Sequence, residues 1–337
     1  MPNQVNTLRG AVDAATLGVT LMHEHVFVRS IETTLNYSTT WGTDEERVAG
    51  AIRTLTELHS AGVGAIVDLT VLGLGRDIRL VERVASQTPL TIIAATGAYV
   101  LDRLPYQWGF NPPRAGGSVA EGIAQLFTRD IVEGIAGTSV RAGVIKCATD
   151  VAGLTDDVVT VLEAASLAHL ATGASIITHA DARTRRGIDQ QRVFADRGVD
   201  LTRVVIGHAG DSDDLDYLRT LMDAGSTLGM DRFGLESPIT TAERVRIVAE
   251  LCELGYADRM VLSHDAACHS EWLDSDTMAQ DNPEWSLFFI TQSVVPALAA
   301  RGVSDRDLTT MLELNPQRLL GLTPSPTAAP QEFGAPS

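Results

Sequence analysis

Eight short, apolar, β-rich runs punctuate this chain, and they constrain its fold more than any other feature. They lie at residues 20–27, 65–70, 91–100, 142–149, 175–180, 204–210, 227–233 and 260–266. Longer stretches of helical apolar spacing separate most of them, as at residues 45–61, 156–171, 184–197, 213–224 and 241–254. Gly62, Gly173, Gly198 and Gly225 each stand between a helical stretch and the next strand, where a helix is expected to stop. Strand alternating with helix eight times implies parallel strands joined by crossover helices. The closed form of that pattern is an α/β fold, the (β/α)8 barrel, and 337 residues fit it. One domain is expected over residues 1–322. Residues 323–337, rich in Pro, Ala and Ser, read as a disordered tail. Two long loops, 101–119 and 267–283, fall after the third and eighth strands, at the end where a barrel builds its active site.

The formal net charge of −17 argues against nucleic acid or anionic membrane as a partner, since both demand clustered Lys and Arg. No apolar run approaches the ~18 residues that span a bilayer, and residues 1–10 carry no apolar signal region. Cys147, Cys252 and Cys268 are an odd number without metal-site pairing, so reduced thiols in a cytoplasmic protein are expected. A homodimer is the expected assembly.

The polar residues fall in a pattern. His23 and His25 lie two apart on the first strand, so their side chains share a face. Lys146 stands near the end of the fourth strand, His179 at the end of the fifth, His208 at the end of the sixth and Asp265 at the end of the eighth. All six converge on the barrel mouth. A lone histidine is commonly a hydrogen-bonded core residue, but packing does not account for four of them with an aspartate and a lysine. Imidazoles and a carboxylate suit zinc, iron, cobalt or manganese. Lys146 is the single lysine among 26 basic residues. An ammonium is no ligand, but an amine that has taken up carbon dioxide becomes a carbamate able to bridge two cations. Two divalent ions about 3.5–4 Å apart can then share a hydroxide, a hydrolytic nucleophile at neutral pH.

The order His-x-His, Lys, His, His, Asp over eight strands resembles the amidohydrolase superfamily. Gly18-Val-Thr-Leu-Met-His-Glu-His25 is similar to the first signature of its phosphotriesterase family. Residues 68–77, Thr96-Gly-Ala-Tyr99, Gly207-His-Ala-Gly-Asp211, Asp231-Arg232 and Asn315-Pro-Gln-Arg-Leu-Leu320 are similar to further pieces of it. The resemblance implies that His23, His25 and Asp265 hold a more buried metal and that His179 and His208 hold a more exposed one. Lys146, as N6-carboxylysine, bridges both, and Asp265 also moves the proton. Within the family the chain most resembles the quorum-quenching lactonases that open N-acyl-homoserine lactones. Tyr99 is similar to the tyrosine those enzymes aim at the lactone oxygen, and Trp272 resembles a tryptophan of their last loop. Arg232 stands where the phosphotriester-degrading branch carries a histidine. Tyr99, Trp272 and Arg232 are therefore candidate substrate-binding residues, with Tyr99, Arg232 and Asp265 the catalytic set.

The resulting reading is a binuclear hydrolase of lactones with side activity on phosphotriesters and two divalent ions per chain, zinc foremost. Phosphotriester hydrolysis as the main activity is one alternative. A barrel aldolase using Lys146 as a Schiff-base nucleophile is another, which the surrounding ligand set does not suit. A binding protein without catalysis is a third, which a complete ligand set opposes. Leu104, Tyr106, Trp108 and Trp272 are expected to line an apolar channel for an acyl chain. His59, His169, His264 and Cys147 are expected to stay outside the site, the last two because strand alternation turns them to the opposite face.

Overall fold

A computed structural model describes residues 3–37, 42–99, 102–113, 117–273 and 275–321. Eight parallel strands form the barrel: β1 (Thr20–Val28), β2 (Ala65–Asp68), β3 (Thr91–Gly97), β4 (Val144–Thr149), β5 (Ser175–Ala180), β6 (Val204–Ile206), β7 (Thr227–Met230) and β8 (Met260–Leu262). Each pairs with the next in order from β1 to β8. The chain leaves β8, turns through residues 263–266 and continues as β9 (Ala267–Ser270), which lies parallel to β1 and closes the ring. The expected (β/α)8 barrel is the fold.

Local sequence explains the helices. Thr43 opens Asp44–Ser60, Ser118 opens Val119–Val132 and Thr240 opens Thr241–Glu253. Each has a glutamate three residues on that reaches back to the cap, so two orphan N–H groups are satisfied at once. Gly173 ends Asp156–Thr172 in the left-handed conformation, with φ of 74°.

The core has two shells. Val67, Ile93, Ala95, Val144, Ile177, Val205 and Val261 fill the barrel interior, while the outer strand faces meet the helices. The floor is sealed by elements the apolar runs do not announce. An antiparallel hairpin of Gln4–Thr7 and Gly10–Asp13 brings Val5 to the interior cluster, where Leu319 and Leu320 join it. Asn315 Nδ2 donates to the Ala257 and Met260 carbonyls at 2.9 and 2.8 Å, locking the last helix to the start of β8. The cavity lies at the opposite end, at the C-terminal ends of the strands.

Strands six to eight are shorter than the apolar runs. His208 and Asp265 lie beyond their strands, with φ of 58° and 56°. A non-glycine residue pays for that left-handed backbone, so the turn must be held by what surrounds it. The tail expected at 323–337 lies outside the described residues. Among the described residues, no helix is long and apolar enough to cross a membrane.

Candidate active site

The six strand-end residues meet in one cluster. His23 Nε2 lies 3.0 Å from Lys146 Nζ and 3.3 Å from Asp265 Oδ1. His25 Nε2 is 3.2 Å from the same Asp265 oxygen. His208 Nε2 is 2.9 Å from His179 Nδ1 and 3.8 Å from Asp265 Oδ2. Lys146 Nζ donates to the Thr178 carbonyl at 3.3 Å and is 1% exposed. All six line a cavity of about 930 Å³ at the barrel mouth.

Residues behind the cluster set its tautomers. Asp231, just past β7, takes His23 Nδ1 on one oxygen at 2.7 Å and His208 Nδ1 on the other at 2.9 Å. It also accepts the His208 backbone N–H at 2.8 Å, which helps to hold that left-handed turn. Thr70 Oγ1 meets His25 Nδ1 at 2.8 Å, and Asp68 accepts the Thr70 N–H at 3.1 Å. Asp150 faces His179 Nε2 at 3.9 Å, and its interaction with His179 holds the Asp150 carboxyl down at about 2. Two glycines make the room. A Cβ on Gly229 would sit 2.5 Å from Asp231 Oδ2, and one on Gly97 would sit 1.9 Å from the Lys146 carbonyl oxygen.

Burial governs the electrostatics. It pushes His23 down to about 4, with Lys146 adding to the fall, and it lowers His179 and His208 as well. The three rings are therefore neutral at pH 7, and the nitrogens turned into the cavity carry lone pairs. Burial also pushes Lys146 down to about 8. It would raise Asp231 and Asp265, but neighbouring histidines outweigh it, with Arg232 helping at Asp265, so both carboxyls stay below the usual range.

This donor set fits a divalent metal. Inward nitrogens converge while the opposite ones have acceptors or donors of their own, the usual arrangement behind metal-bound histidine. Among the described residues, His23, His25 and Asp265 form one group with ligand atoms within 4.8 Å of one another, and His23, His208 and Asp231 form another. In the second group Asp231 is already engaged by both Nδ1 atoms, so it orients the two rings rather than facing the cavity.

A profile of the phosphotriesterase family matches residues 3–320. The chain belongs to the phosphotriesterase family. A phosphotriesterase homology protein of Mycobacterium tuberculosis is 51% identical over 316 residues, spanning 94% of this chain and 97% of that one. An aryldialkylphosphatase of Saccharolobus solfataricus is 36% identical over 312 residues, spanning 92% and 97%. A solved structure of the phosphotriesterase from M. tuberculosis superposes with a TM-score of 0.90 at 50% identity, covering 94% of this chain and 98% of that one. Members of the phosphotriesterase family are metal-dependent hydrolases, in keeping with the His/Asp clusters here.

The three remaining predicted residues also face the cavity. Tyr99 Oη lies 3.5 Å from His179 Nδ1, and burial pushes its phenol up, so it stays a donor. Trp272 has its ring centroid 6.2 Å from that of Tyr99. Neighbouring Glu271 anchors it: Glu271 Oε2 accepts the Ser30 N–H and the Thr34 hydroxyl, both at 2.7 Å, and Oε1 meets Arg47 at 3.1 Å. Arg232 does not pair with adjacent Asp231. Its Nε donates to Asp265 Oδ2 at 3.1 Å and a terminal nitrogen donates to Asp211 at 2.8 Å. Fully buried Arg244 holds the other Asp211 oxygen at 2.7 Å.

The channel wall differs from expectation. Tyr106 is exposed and meets Phe110 edge to face, and Leu104 and Trp108 pack against the helix-side core. Val28, Leu74, Leu235, Leu273, Met278 and Trp285 supply the apolar wall with Trp272. The residues expected outside stay outside: Cys147 is in the helix-side core, His169 bonds the Ala174 carbonyl and His264 bonds Glu24.

Proposed function

We propose that the chain is a binuclear metal-dependent lactonase that opens N-acyl-homoserine lactones, with phosphotriester hydrolysis as a side activity. The observation that carries this reading is the placement of the Tyr99 hydroxyl 3.5 Å from His179, against Trp272, where the ligand cluster meets an apolar cavity wall. A lactone carbonyl beside the cluster places its ring oxygen within reach of a neutral phenol, and its acyl chain lies along the wall.

In this reading His23, His25 and Asp265 would hold one ion and His179 and His208 the other, with Lys146, as its carbamate, completing the donor set. When bound, the ion pair supplies Lewis acidity and makes water a nucleophile at neutral pH. Asp265 accepts the nucleophile's proton, and Arg232 keeps its Oδ2 aimed at the cavity. Asp231 and Thr70 hold the imidazoles of His23, His208 and His25, and Asp150 faces that of His179. Tyr99 donates to the oxygen that takes charge as the ring opens.

Similarity to an aryldialkylphosphatase favours a second reading, in which phosphotriesters are the main substrates. A planar carbonyl turns tetrahedral on attack, whereas a phosphotriester already is tetrahedral and needs three substituent pockets. Comparing kcat/KM for a homoserine-lactone series and for paraoxon separates the two. Burying a methylene is worth about 0.8 kcal/mol at most, so KM falls with acyl length until the wall is covered. Tyr99→Phe depresses kcat/KM for lactone more than for paraoxon. Paraoxon as the better substrate, or a KM indifferent to chain length, overturns the lactonase reading and leaves the metal site standing.

A further inference from the structure

The barrel closes without a regular ladder between β8 and β1. In the hydrogen-bonded strand order these two do not neighbour each other. The seam is instead crossed by separate bonds. The His23 N–H donates to Ser263 Oγ at 2.9 Å, the Asp265 N–H to the His23 carbonyl at 3.0 Å and the His25 N–H to the Ala266 carbonyl at 2.9 Å. One side chain adds to these bonds. Glu24, fully buried between His23 and His25 in sequence, turns away from the cavity. Its Oε1 accepts the His264 N–H at 3.0 Å and His264 Nδ1 at 2.7 Å, and its Oε2 accepts the Ala266 N–H at 3.0 Å.

The carboxylate thus grips the peptide groups on either side of Asp265, the residue at φ 56°. The His264 ring is fixed in turn, because its Nε2 accepts the Ile290 N–H at 2.8 Å. The Trp285 indole donates to the His264 carbonyl at 2.7 Å, and Trp285 lines the cavity. We propose that Glu24 is a positioning residue that holds residues 264–266 in the turn from which the Asp265 carboxylate reaches His23 and His25. All three partners of Glu24 are donors, so a carboxylate satisfies them together. A glutamine of the same shape must present its own N–H₂ to a donor on one side of Asp265. The left-handed turn then loses a support it cannot spare.

The proposal rests on the hydrolase reading for its rate effect and on geometry alone for its structural effect. The test is Glu24→Gln in the full-length, metal-loaded protein, read by crystal structure and by steady-state kinetics with a lactone and with paraoxon. Asn315→Ala, at the opposite end of β8, serves as the destabilised control. In Glu24→Gln, Asp265 is expected to leave its left-handed conformation and move off His25. A catalytic group displaced by about 1 Å costs on the order of a hundredfold, so kcat falls by about that factor while KM stays within about twofold. The control loses Tm and keeps kcat. Should Glu24→Gln not fold, Glu24→Asp, whose carboxylate is withdrawn by one methylene, is read in the same way. An Asp265 that keeps its φ and its contacts, or a kcat that tracks Tm alike in variant and control, overturns the proposal. A wild type that hydrolyses neither substrate refutes the functional reading instead, and the Asp265 geometry still decides this one.

Discussion

Lys146 is an amine in a place that disfavours its charge, and the consequence is measurable without substrate. Burial lowers it to about 8 in the folded chain, against about 10.4 in the unfolded one. Between those values the unfolded chain holds a proton that the folded chain has released, so stability rises with pH across that window. Below pH 8 the whole penalty is present. A difference of about 2.4 pH units corresponds to about 3 kcal/mol, of which about 2 kcal/mol is relieved between pH 7 and pH 9.5. Lys146→Met removes the charge and keeps most of the volume. In chelator-treated protein, urea unfolding is therefore expected to find Lys146→Met about 3 kcal/mol more stable than wild type at pH 7, with the gap closing as pH rises. Taking the difference between the two proteins cancels the tyrosines and cysteines that titrate in the same range. Parallel stability curves for the two proteins would refute the claim that Lys146 is strained as a bare ammonium. Bicarbonate added to the metal-free wild type should narrow the gap, since a carbamate replaces the cation that the site rejects.

Two further outcomes follow from the contacts around the cluster. Asp231→Asn leaves one oxygen for two Nδ1–H groups, so one ring loses its orientation; metal affinity measured by chelator competition should fall about 10–100-fold, and an unchanged affinity would remove Asp231 from its role. Asp265→Asn should lower kcat by about 10²–10⁴-fold with little change in KM, and a near wild-type rate would exclude Asp265 as proton acceptor.

The barrel was legible because strand and helix periods differ and because glycines mark several of the joins. Its closing seam is not, since apolar pattern sets strand identity but says nothing of register, and a glutamate between two histidines carries no mark of a bond across the seam. The strand ends were overshot at His208 and Asp265 because left-handed backbone at a non-glycine residue leaves no mark in composition. Six site residues stand out because four histidines, the single lysine and an aspartate all fall toward strand ends. Thr70 and Asp211 lie within family-like pieces but, like Asp150, are common loop letters with no site signal of their own. Asp231 was within reach of sequence reasoning, since it too follows directly on a strand. The cavity wall differs from the sequence expectation because three large apolar residues of the 101–119 loop pack against protein or face solvent, according to a loop conformation that composition does not determine.

The most direct measurement is metal stoichiometry, on wild type and on Lys146→Ala purified side by side. The account predicts two divalent ions per wild-type chain, loss of metal and of hydrolytic activity in Lys146→Ala, and partial recovery of both when a short carboxylate such as propionate is supplied with metal. Full metal occupancy and a normal rate in Lys146→Ala would contradict it.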